Sequence, residues 1–258
     1  MFSDDDVADS GCVASFYQSL ENDDRRTTLF RFNTTIIDGD DRIIRHPAPH
    51  PEYEEASEMI VAIFTAWVQS SSRFWCAPDH IFSKTALNKL GGFINYPQAL
   101  YSDLATWVAI SDLGKARTMP HAKVHFRSYP EGTSSGALSK HGRVHFEALL
   151  DFMKFSFDFI DQRNSQSLST HRHLAYHSIF DILFRNSGLH AILFESNSID
   201  LCHQAVGGPR WPITLRFYYY RFRLHLRSVP GIRQLAYWRL HRSRNALRSN
   251  GRGSDSLS

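Results

Sequence analysis

Between Ala56 and Trp67 the apolar residues Ala56, Met59, Ile60, Ile63, Phe64 and Trp67 recur at the three- and four-residue spacing of one helix face. A stripe of this kind has to be covered, so the rest of the chain must supply partners for it. The helix is read as opening near Pro51, with Glu52, Glu54, Glu55 and Glu58 at the positive end of its dipole. Further helical signals follow. Ser83 to Leu90 is stopped by Gly91-Gly92, and a helix opening at Pro97 carries Leu100, Tyr101, Leu104, Trp107 and Val108 and ends at Gly114. Phe146, Leu149, Leu150, Met153, Phe157 and Ile160 make another stripe, opposite Glu147, Asp151, Lys154, Asp158 and Asp161. Its MKFSFDFI portion also alternates like a strand, but its length favours a helix. Ser169 or Thr170 caps a further helix, with Tyr176, Ile179, Phe180 and Leu183 inside and Gly188 as its stop.

The front of the chain carries strand signals as well. TLFRFNTTII and RII, within Thr28 to Arg45, flank Asp38-Gly39-Asp40-Asp41, which reads as a hairpin turn. The HPAPHP run that follows is read as an extended connector. The expected fold class is therefore mainly α: a helical body of five or six helices with a small N-terminal β-hairpin and a basic C-terminal extension. Residues 1–27 are expected to be an acidic mobile arm, 28–209 the body and 210–258 an arginine-rich, aromatic-laced tail.

Hydrophobic residues at 42% supply enough material for a core. The most apolar window, Met59 to Val68, is half the ~20 residues a membrane span needs, so no membrane partner is expected. The acidic N-terminus does not read as a signal or transit peptide. Three widely spaced cysteines, Cys12, Cys76 and Cys202, fit a reducing, intracellular compartment better than a disulfide framework.

The net charge of +3 hides an asymmetry. Residues 210–258 hold eleven Arg, no Lys and one acid, a net of +10, which leaves −7 on residues 1–209. Residues 1–59 alone hold fourteen acids against five Arg, a net of −9. In the tail, Arg221 to Arg227 alternate strictly. An extended strand would place Arg221, Arg223, His225 and Arg227 on one face and Phe222, Leu224 and Leu226 on the other. Beyond Pro230-Gly231 the pattern is helical, with Arg233, Tyr237, His241, Arg244 and Arg248 on one face. Guanidinium groups grip phosphates through forked hydrogen bonds and aromatic rings stack on unpaired bases. The candidate nucleic-acid-binding residues are therefore Arg216, Arg221, Arg223, Arg227, Arg233, Tyr237, Arg244 and Arg248. Docking of this segment on an acidic face, and a bias of composition behind its lack of Lys, are the alternatives.

Four H-x-x-x-H pairs occur, His46/His50, His121/His125, His141/His145 and His173/His177, where chance gives about 0.8. Only His173/His177 falls well inside an expected helix, with Asp181 continuing its face, and it lacks the Glu of a zincin motif. No metal and no cofactor is expected. Glycine-rich phosphate loops and a G-x-S-x-G elbow are absent from the sequence. The Cys76/His80 pair has no sequence partners, and Asp38 to Asp41 lacks the closing Glu of a calcium loop. The leading expectation is a non-enzymatic protein that binds nucleic acid, single-stranded or duplex, without sequence preference. The second is a self-assembling, coat- or nucleocapsid-like subunit. The third is a metal-dependent enzyme using His173 and His177.

Overall fold

Two long strands organise the molecule: β2 (Thr27–Ile37) and β6 (Lys115–Arg127) run parallel, with Phe30 opposite Arg117 and Thr35 opposite His125. The computed structural model describes residues 5–23, 26–68, 73–129, 142–162, 177–178, 182, 187–195, 197–207 and 210–228. The outer edge of β6 takes two short antiparallel strands, β1 (Val7–Ala8) and β4 (Tyr53–Glu54). The outer edge of β2 takes β3 (Ile43–Arg45) and β5 (His80–Phe82). The result is a mixed six-stranded sheet, so the fold is α/β and not mainly α with a small hairpin. The expected hairpin is present as β2 and β3, but it is one corner of this sheet. Its turn is built by Asp38, whose Oδ1 accepts from the backbone N–H of Asp40 and of Arg42, both at 2.9 Å. The positive φ falls on Asp41, at 63°.

Parallel strands need a crossover, and here it runs through β3, β4, the helix α2 (Ala56–Val68), β5, α3 (Lys84–Lys89) and α4 (Ser102–Asp112). Proline sits inside β6 without breaking the sheet. The register jumps between Phe32↔Met119 and Asn33↔Lys123, so Pro120, His121 and Ala122 form a bulge with no partner on β2.

Helices cover both faces. Alternation along β2 sends Phe30 and Phe32 to one side, where they meet Cys12 and Phe16 of α1 (Cys12–Glu21) together with Met119, Ala122 and Val124. Residues 5–23, expected within an acidic arm, thus form β1 and a helix packed on the sheet. Leu29 and Ala116 face the other way into the main core, built from α2, α4 and α5 (Gly142–Asp161), with α6 (Ser198–Val206) and α7 (Arg210–Ser228) behind them. The stripe of α2 is buried through Met59, Ile60, Ile63 and Phe64, and the α5 stripe is buried as its spacing requires.

Boundaries differ where other forces act. The α2 helix begins at Ala56, because Tyr53 and Glu54 pair with Arg117 and Ala116 of β6, so Glu54 is not a first-turn residue. Glu58 caps the helix start by accepting from the Glu55 N–H at 3.0 Å. At the end of α4, a Cβ on Gly114 would stand 2.1 Å from the Arg26 carbonyl, so this position requires glycine. Of the helix expected between Ser169 and Gly188, His177, Ser178 and Ile182 are described and helical, while Gly188, expected as its stop, lies within a 3-10 helix over Ser187–Phe194; the remaining residues up to 186 lie outside the described ones. All three cysteines are free thiols, and none of the described helices is long and apolar enough to cross a membrane.

Candidate functional site

Charged and polar side chains gather at two places, one buried and one on the surface. The buried one lies on the main-core side of the sheet, the side of Leu29 and Trp107. Thr118, Arg31 and His80 form a row across β6, β2 and β5, so their side chains share a face. Arg31 donates from Nε to Thr118 Oγ1 at 3.0 Å and from Nη1 to Glu54 Oε2 at 2.6 Å. The second Glu54 oxygen accepts from Arg73. Thr34 donates to Asp79 Oδ2 at 2.9 Å, and Asp79 Oδ1 lies against His80 Nδ1. His80 Nδ1 is 3.1 Å from the Cys76 carbonyl, which fixes the proton on that nitrogen, and the imidazole stacks on Trp107 at 4.9 Å. His50 donates in the same way to the Phe74 carbonyl at 3.0 Å and meets Trp75 edge-on.

Apart from Arg73, this cluster is closed to solvent and its electrostatics are those of an interior. Burial pushes the Arg31 pKa down, and the Glu54 carboxylate opposes that shift. Desolvation, then the charge of Arg31, hold the His50 pKa well below the usual histidine range. Burial drives the Cys76 thiol well up, with Asp79 adding to the effect, so this sulfur is a protonated thiol and not a nucleophile. The neighbouring Cys76, Asp79 and His80 therefore tie the segment after α2 to β2, and the arrangement acts as a polar keystone of the fold.

The surface feature is α7. Ile213 and Phe217 are fully buried and Tyr220 packs partly against the same core. On the opposite side Leu215, Tyr218, Tyr219 and Phe222 are 63%, 60%, 53% and 60% exposed, at the i, i+3, i+4, i+7 spacing of a second stripe. Arg221 lies beside this stripe. Its guanidinium is 5.8 Å from the Phe217 and Tyr218 rings and 5.9 Å from that of Phe194, and it donates to the Glu195 carbonyl at 3.2 Å. Arg216 lies 2.9 Å from His177 Nε2, which accepts from it.

No match came from the comparisons. No protein-family model, curated protein or solved structure matches this chain.

Arg221 to Arg227, expected as a strand, are helical. The strict alternation is overridden because residues 213, 217 and 220 carry a buried helical stripe that continues the main core. Arg221 and Arg223 therefore stand about 200° apart around the axis and not on one face. Positions 223 and 227 fall seven and eleven residues after Arg216, so the helical backbone sets Arg216, Arg223 and Arg227 along one flank. Arg233, Tyr237, Arg244 and Arg248 lie outside the described residues, as does His173. Among the described residues no group of three or more His, Cys, Asp or Glu is placed to hold a metal ion.

The acidic front of the chain has partners of its own, and they come from β6. Asp9 bonds His125 Nε2 at 2.8 Å and accepts from the Lys123 N–H, which holds its carboxyl below the usual range. Arg127 Nη2 bonds Asp41 at 2.5 Å, and its backbone N–H donates to Asp6 at 2.9 Å. Arg117 reaches Asp23 and Glu52 at 3.9 and 3.8 Å. Charge periodicity could not reveal this, because these partners are more than sixty residues apart in the sequence.

Proposed function

We propose that the protein binds nucleic acid without chemical turnover, through α7 and the arginine-rich segment that follows it. The observation that carries this reading is the composition of α7 on its exposed side: three aromatic rings on a helix with five arginines and no acidic residue. Arginine meets phosphate as a charged fork, and a ring offers a stacking surface to any base. Engagement of the N-terminal acids by β6 supports the same reading, since it takes charge from the surface the tail would otherwise dock on. Arg216, Arg223, Arg227, Arg233, Arg244 and Arg248 make the phosphate contacts, and Arg221 holds the Tyr218 ring in place. Tyr237 adds a further stacking surface.

The test is a titration of labelled oligonucleotides at several salt concentrations. Six phosphate contacts give a log–log slope of about −4 on single strands and about −5 on duplexes. Replacing Arg223 or Arg227 by Gln flattens the slope by about one contact. A slope near zero, or no binding at low salt, overturns the reading.

Self-assembly is a second reading, supported by a separate exposed stripe on α1 formed by Val13, Tyr17 and Leu20. Light scattering with and without nuclease separates the two. Assemblies that survive nuclease and lose size in Tyr17→Ser belong to the second reading.

A further inference from the structure

We infer that the strand bound along α7 is single-stranded, with its bases stacked on Tyr218 and Phe222. The inference rests on the reading of α7 as a nucleic-acid surface and names the form of nucleic acid it takes. The outward stripe Leu215, Tyr218, Tyr219, Phe222 holds flat rings and one aliphatic side chain, with no amide or carboxylate among them. Proteins that read a duplex aim Arg, Asn, Gln or Glu at the edges of paired bases. A duplex keeps the faces of its bases stacked on each other, so rings such as these have little to bind there. An unpaired base presents both faces, and stacking on a protein ring is tolerant of sequence.

The geometry favours an extended strand over a folded one. Tyr218 and Phe222 are one helical turn apart, about 6 Å along the axis. Tyr218 is held by the Arg221 guanidinium at 5.8 Å, which itself bonds the Glu195 carbonyl and stands over Phe194. A ring held in place loses little freedom when a base stacks on it. Phe194, under the same guanidinium, is itself 57% exposed. The flank carrying Arg216 and positions 223 and 227 runs parallel to the ring stripe, as the backbone and the bases of a single strand run parallel to each other.

The experiment uses the full chain with fluorescent oligo-dT, oligo-rU and the matching oligo-dA·dT duplex, each titrated at the same series of salt concentrations from low salt upward. Wild type is compared with Phe222→Ala, Tyr218→Ala and Phe222→Leu. Both rings are more than half exposed, so the variants keep the wild-type melting temperature, which is measured alongside. The expected result is tighter binding of both single strands than of the duplex. Each alanine variant weakens single-strand binding about tenfold, with the salt slope unchanged, because stacking releases no ions. Phe222→Leu shows the same loss, since leucine keeps apolar bulk and removes the ring face. Duplex bound as tightly as single strand, or Phe222→Leu binding like wild type, overturns the inference and leaves salt-dependent phosphate binding standing. No binding of any oligonucleotide at low salt removes the reading and the inference together, and points to a protein as the partner of this face.

Discussion

Arg31 donates to Glu54 at 2.6 Å while both side chains are almost wholly buried, and Arg73, 22% exposed, shares the same carboxylate. One carboxylate therefore bridges two guanidinium groups across β2, β4 and the segment after α2. Removing one partner of a buried pair leaves a charge that nothing compensates, at about 3–5 kcal/mol. Glu54→Ala is expected to cost at least that much in urea unfolding. Arg31→Ala follows, and Arg73→Ala costs least because water reaches its side chain. A Glu54→Ala protein as stable as wild type would show that this pair does not hold the sheet to the segment after α2.

Acid should weaken the fold through its buried histidines. The His50 pKa is held well below its ordinary value of 6.5 by desolvation and then by Arg31, and desolvation lowers His145 as well. Above pH 6.5 both are neutral in the folded and unfolded chains, and they do not affect stability. As pH falls below 6.5 the unfolded chain takes up protons that the native state refuses, so stability declines toward each folded-state pKa. The slope is about 1.4 kcal/mol per pH unit for each fully linked proton. Measured between pH 7 and 5, His50→Gln is expected to flatten the decline. An equal slope in wild type and variant would show that His50 takes its proton in the folded state.

What the sequence disclosed follows from how far each signal extends along the chain. The stripes of α2 and α5 repeat over several turns, so spacing alone recovers them and the face they bury. Strands β1, β4 and β5 are two or three residues long, too short to alternate visibly, and each exists only because β2 or β6 lies beside it. Pro120 and the charges Lys115, Arg117, Lys123 and Arg127 disguise β6, although a bulge takes up the proline and carboxylates from distant segments meet Arg117 and Arg127. Glu54 reads as a helix-start acid because its partner Arg31 is 23 residues away. On α7 the reverse happened: a local alternation was visible over seven residues, while the buried stripe that overrides it began earlier, at Ile213.

Gly114 tests how closely the crossover returns to the sheet. The space for its Cβ is occupied by the Arg26 carbonyl at 2.1 Å and by Thr28 Cγ2 at 2.7 Å. Because the nearest atom belongs to the backbone, Gly114→Ala must shift β2 or the end of α4. The expected loss is about 1–3 kcal/mol, the usual range for overpacking. A melting temperature matching wild type would mean that the turn into β6 has room that the structure does not show.

Two phenylalanines five residues apart decide how α7 is oriented. Phe217 is fully buried in the main core, and Phe222 is 60% exposed on the opposite stripe. Replacing Phe217 with Ala removes a packed ring and is expected to cost about 3–5 kcal/mol. The same change at Phe222 should stay within about 0.5 kcal/mol. A strand would give the reverse kind of pattern, with the apolar positions 222, 224 and 226 buried together and the arginines on the open face. Thermal unfolding of the two variants therefore distinguishes the helix from the alternating strand without any ligand. It also bears on the proposed interface, because the rings on Tyr218 and Phe222 can meet a base only if Phe217 points inward. Equal destabilisation at both positions would close that face to a partner.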